Sequence, residues 1–127
     1  MTVTTITRYR VAAVTYAVLV FTVSSWPGVK LPDVGAGSLD KLIHFGQYAI
    51  LAVLVAAGWG NQPESDRQYS RWLPVVILAV FVTVDEYHQR WVPGREVEIG
   101  DWLANLTGIA CGWWVGTLTF RRHDQPE

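Results

Sequence analysis

The chain has 127 residues, half of them hydrophobic, with seven Trp and only 17% charged residues, which is enough for one domain and unusually apolar for that size. A formal net charge of -1, without a clustered cationic face, excludes phosphate-backbone recognition, so no nucleic-acid partner is expected. The single Cys111 excludes an intramolecular disulfide; lying beside Gly112 in an apolar run, it is expected to act as a small buried hydrophobe.

Four apolar stretches follow one another, and they predict an all-α integral membrane bundle of four transmembrane helices in a single domain spanning 1–127. The first helix is expected at about 9–25, after Arg8 and Arg10 and before Trp26-Pro27-Gly28, a length that fits a span. Val23-Ser24-Ser25-Trp26 is a poor small-residue cleavage site, so this stretch is read as a span in preference to a signal peptide. The second helix is expected at about 40–59, stopped by Gly58-Trp59-Gly60. A third, about 72–90, begins at Trp72-Leu73-Pro74 but is fully apolar only to Val84; it can span only by continuing through Asp85, Glu86 and Gln89. The fourth, about 101–120, ends before Arg121-Arg122. Within it Ala104, Gly108, Gly112 and Gly116 recur every four residues, a small-residue stripe that lets helix backbones approach closely in lipid.

Trp26, Trp59, Trp72 and Trp91 fall at the ends of these stretches, as amphipathic rings at a lipid–water boundary do. No useful period-2 alternation is present, which argues against a β-barrel. Placing both termini in the cytoplasm puts Arg8, Arg10, Arg67, Arg71, Arg121 and Arg122 inside, and Lys30, Lys41, Arg90 and Arg95 outside, a modest positive-inside bias. The loops at 26–40 and 90–100 then share the outer face.

That topology gathers three polar groups which would otherwise look like separate anomalies. Asp40 and His44 open the second stretch, Asp85-Glu86 with His88 and Gln89 close the third, and Asp101 and Asn105 open the fourth. Residues four apart share a helix face, and ionisable groups inside a membrane segment are costly enough to need a reason. His123, in the polar C-terminal tail, is expected to be merely solvated.

The ordered set Asp40-Lys41-x-x-His44-Phe45, Asp85-Glu86-x-x-Gln89, Pro93-Gly94-Arg95, Asp101-x-x-x-Asn105 and Gly108 resembles the signature of the VanZ-like family over residues 40–112. The resemblance implies a small multi-pass protein of the bacterial inner (cytoplasmic) membrane, in a family named for a protein associated with teicoplanin resistance. Glu98 departs from the family pattern, which commonly has a small hydroxyl residue there.

Three chemistries fit these residues. In the first, a conical polar pocket at the extracytoplasmic face, lined by Asp40, His44, Asp85, Glu86, Gln89, Arg95, Asp101 and Asn105, binds a cell-envelope ligand. That ligand would be a lipid headgroup, a cell-wall precursor or a glycopeptide, with Trp91 and Trp102 as apolar walls and membrane lipids as standing partners. In the second, Asp85, Glu86, His44, His88 and Asp101 hold a divalent cation, Arg95 takes a phosphate, and His44, Glu86 or Asp101 is the catalytic group of a membrane enzyme acting on a phosphorylated headgroup. The third is structural: Asp40, Glu86, Arg95 and Asp101 form an ion-pair network, with Asp40 and Asp101 favourably placed near helix N-termini. So many acids for one Arg leave an excess of buried negative charge, which something must offset.

Overall fold

The computed structural model describes residues 2–27, 37–60, 72–95 and 97–121. They form four α-helices and no strand: α1 (Val3–Ser24), α2 (Gly37–Trp59), α3 (Leu73–His88) and α4 (Ile99–Arg121). Lys30, Arg67, Arg71, Arg122 and His123, which entered the charge pattern above, lie outside the described residues.

Local chemistry sets the helix ends. The first helix starts six residues before the apolar stretch at Tyr9, because the Thr2 side chain accepts from the Thr5 backbone N–H at 3.3 Å and so caps it. Asp40 lies in the first turn of α2 and Asp101 in that of α4, where the helix dipole favours a carboxylate. Pro74 sits in the first turn of α3, the one helical site where a missing N–H costs nothing. After His88 the chain tightens into a 3-10 turn, Gln89–Trp91, and then reverses. Pro93 and Gly94 occupy the corner, Gly94 has φ 81°, and the Arg95 N–H closes onto the Val92 carbonyl at 3.1 Å. Proline followed by a positive-φ glycine is the type II turn pattern, so a side chain at position 94 would be strained.

Contacts between helices fix their directions. Arg10 of α1 reaches Gly58 of α2, Ser24 of α1 reaches Asp85 of α3, and His44 of α2 reaches Asn105 of α4. The chain therefore runs up, down, up, down, with α1 parallel to α3 and α2 parallel to α4. The closest pair is not adjacent in sequence: α2 and α4 pack most intimately. The glycine stripe explains this, since a Cβ at Gly108 would meet the Phe45 carbonyl and one at Gly112 the Ala49 carbonyl, while Gly116 lies against Val53 and Ala56. Backbone thus rests on backbone along the whole seam. With the stripe turned to α2, Cys111 faces outward and is exposed, contrary to the buried position expected of it.

Around α2 the core comprises Val20, Tyr48, Leu51, Ala52, Leu78, Val82 and Ile109. Outward faces are also apolar: Val14 and Val18 of α1, Ile77 and Val80 of α3, and Trp114 and Leu118 of α4 are all exposed. Contiguous apolar surface of that extent is a liability in water and an asset in lipid. Val3–Ser24 and Leu39–Trp59 are long and apolar enough to cross a membrane. At 16 residues, α3 measures about 24 Å and reaches the roughly 30 Å hydrocarbon thickness only if the 3-10 turn is counted with it.

Candidate functional site

The alternating helix directions bring four helix ends together: the C-terminal ends of α1 and α3 and the N-terminal ends of α2 and α4. Ser24, His44, Asp85, Glu86, Gln89, Asp101 and Asn105 are all buried there. Asp40 stands at the rim and Arg95 in the turn above. Every residue expected at this site on sequence grounds is thus at the same end of the bundle, although the groups differ sharply in how they are satisfied.

Asp85 is well held on one side. Its Oδ2 accepts from Tyr48 Oη at 2.6 Å and from Ser24 Oγ at 3.0 Å, whereas Oδ1 has no partner. Neither Tyr48 nor Ser24 was singled out in the sequence. Tyr48 follows His44 by one turn on the same face of α2, and that spacing was a usable signal.

A second group lies between α2 and α4. His44 Nδ1 is 3.2 Å from Asn105 Oδ1, and its Nε2 is 3.9 Å from Asp40 Oδ1. Because the Asn105 oxygen can only accept, the Nδ1–H donates in this pair, and Nε2 is the ring atom that faces Asp40. Lys41 Nζ bridges Glu98 Oε2 at 3.0 Å and Asp101 Oδ1 at 3.2 Å. These are the ion pairs that form here among the described residues. The expected network of Asp40, Glu86, Arg95 and Asp101 does not: Arg95 Nη2 instead donates to the Val23 carbonyl at 3.4 Å, and its Nε has no partner. The turn at Gly94 sets that direction, sending the guanidinium towards the end of α1.

Glu86 is the outlier. It is 4% exposed, and neither carboxylate oxygen has a hydrogen-bond partner among the described residues. Asp101 and then Asp85 are the charges that bear on it most strongly, with Arg95 opposing them more weakly; the Glu98 backbone N–H lies nearby without closing a bond. It also stands near the C-terminal end of α3, where the helix dipole disfavours an anion. Buried charge in such a position is destabilising by several kcal/mol unless paired. Gln89 Nε2, Asn105 Nδ2 and His88 Nδ1 are likewise buried without partners.

The His88 ring packs 5.0 Å from Phe21. Trp91 and Trp102 do not wall the cluster. Trp91 is 65% exposed and packs edge-on against Tyr87, over whose ring Arg90 lies at 5.4 Å, while Trp102 Nε1 donates to Thr83 Oγ1 at 3.2 Å. Tyr87, Arg90 and Trp91 form an exposed aromatic and cationic rim of the kind found at membrane interfaces. Cavities lie elsewhere. A shallow groove of about 810 Å³ follows α1 past Arg8 and Tyr16, and an apolar cleft of about 400 Å³ opens between α1 and α3 over Leu51 and Val55. None of the polar side chains above lines either of these two cavities.

The described residues are helical, with apolar outer faces, two helices long and apolar enough to cross a membrane and a buried acid cluster at one end. The VanZ/LLP1 family model matches residues 3–120, and the chain belongs to that family. No curated protein and no solved structure is significantly similar to it.

Proposed function

We propose that this is a four-span protein of the bacterial inner membrane, with both termini cytoplasmic, whose acid-lined end faces outward and binds a cell-envelope ligand: a lipid headgroup or a lipid-linked cell-wall precursor. One observation carries the reading. Donors of Gln89, Arg95 and Asn105 and acceptors of Asp85 and Glu86 are buried at this end of the bundle without partners among the described residues. Orphaned polar atoms are rare in native interiors and each needs an explanation. A headgroup bearing phosphate together with hydroxyl or ammonium groups supplies both kinds of partner, and Arg95 suits a phosphate oxygen.

Native mass spectrometry of protein released from nanodiscs of phosphatidylglycerol, phosphatidylethanolamine and undecaprenyl phosphate tests the idea. The wild type should retain one of these lipids preferentially, and Glu86→Gln and Arg95→Gln should lose the adduct while keeping their helical circular dichroism. Equal retention by folded variants would remove the headgroup from this site. A contribution to glycopeptide tolerance belongs to the same proposal: expression in a teicoplanin-sensitive host should raise the inhibitory concentration, and Arg95→Gln should abolish the rise. Topology is checked with a Val97→Cys variant, which should react with impermeant thiol reagents from outside; labelling from the cytoplasm alone would invert the orientation.

A further inference from the structure

Asp40, His44 and Asp101 each offer one ligand atom, and the three atoms lie within 4.8 Å of one another. We infer that they form a binding site for a divalent transition-metal ion, with the buried Glu86 carboxylate near Asp101.

Two carboxylates and an imidazole would not by themselves define a site, because Asp40 and Asp101 also suit the first turns of α2 and α4. Glu86 supplies the independent reason. It sits on a different helix, it is more than nine-tenths buried, both its oxygens are unpartnered, and Asp101 is the charge that bears on it most strongly. Among the described residues the one ammonium at this point, Lys41, is already shared between Asp101 and Glu98 on the rim. Lys41 only partly offsets Asp101, and no Lys or Arg among the described residues pairs with Asp40 or Glu86; a dication would supply the missing positive charge.

Ligand chemistry narrows the ion. Carboxylates alone suit Mg²⁺ or Ca²⁺, whereas an imidazole added to carboxylates favours Zn²⁺ or Mn²⁺. His44 is already oriented as a ligand. Its Nδ1–H is held by Asn105 Oδ1 and its Nε2 faces Asp40, the arrangement in which an outer hydrogen bond fixes the tautomer of a metal-bound histidine. Coordination at about 2.0–2.2 Å requires the three atoms to draw in from their present spacing, and Asp40, half-exposed at the rim, is free to move furthest. Positions left open on the ion suit water or a phosphate oxygen, with the unpartnered Asn105 Nδ2 beside it as a donor. Only this last role, ligating a headgroup phosphate, rests on the function proposed above.

Detergent-purified full-length protein, stripped with EDTA and titrated with Zn²⁺ or Mn²⁺ alone by calorimetry, decides the matter. One equivalent should bind. Asn105→Leu, which leaves all the ligands in place, should weaken binding by about 10–100-fold, and His44→Gln and Asp101→Asn should weaken it further, each variant retaining wild-type circular dichroism. Should a variant misfold, the wild-type titration still decides: absence of stoichiometric binding, or binding unchanged in folded Asn105→Leu and His44→Gln proteins, overturns the site. The two proposals fail separately. Lipid retention by EDTA-stripped protein that binds no cation sinks the metal and leaves the headgroup, while cation binding without lipid retention does the reverse.

Discussion

The two ends of the bundle solve the same problem in opposite ways. At the end formed by the start of α1 and the close of α2, Arg10 buries its stem against Gly58, donates through Nε to the Gly58 carbonyl at 2.8 Å and lies over the Trp59 ring at 5.2 Å. One cation there has a backbone acceptor and an aromatic face, and Tyr9 closes edge-on against Phe120. At the far end, Asp85 is half-satisfied and Glu86 not at all. The first end therefore reads as finished structure and the second as structure held open for something else. Membrane helices tolerate buried polar groups readily when paired, so the unpaired ones are the informative ones.

Five substitutions break or sharpen that contrast, from the largest effect on stability to the smallest. Gly112→Val drives a side chain into the Ala49 backbone and should cost about 1–3 kcal/mol or more, seen as a lowered melting temperature in detergent and loss of both ends together. If the protein tolerates it, the α2–α4 seam is not the common scaffold. Tyr48→Phe removes the shorter of the two bonds to Asp85 and should destabilise by about 1–3 kcal/mol; Ser24→Ala should cost less. Arg10→Gln should lose no more than about 1 kcal/mol and leave lipid retention unchanged, since the finished end has no ligand to lose. Glu86→Gln removes no bond, so the protein should be as stable as wild type or more so, while lipid retention fails. A fall in stability matching that of Tyr48→Phe would show that Glu86 is structural and erase the difference between the ends.

Much of the acid cluster was legible in the sequence, because short connections between apolar stretches force successive helix ends together and four-residue spacing assigns Asp40 with His44, and Asp101 with Asn105, to common faces. The small-residue stripe was legible for the same reason: Gly108, Gly112 and Gly116 repeat at the helical period and now lie against Phe45, Ala49 and Val53. What escaped depends on direction in space. Tyr48 and Ser24 look like ordinary members of apolar stretches until their hydroxyls meet Asp85. Arg95 looked like the partner of Glu86, yet the positive φ of Gly94 turns it to Val23. Lys41, lying within the family motif, carries the ion pairs that Arg95 was expected to make. Cys111 shows the reverse case: an apolar neighbourhood in sequence does not mean burial when the outer face itself is apolar.

The parallel seating of α4 on α2 also sets an order of assembly. As the chain is synthesised, α2 enters its surroundings with His44 and the Phe45 and Ala49 carbonyl groove uncovered, and α3 arrives next with only slight contact to it. Asn105, Asp101 and the glycine face come last. The Asp85 bonds to Tyr48 and Ser24 need only the first three helices, whereas the partner of His44 and the seat of Lys41 both wait for the last.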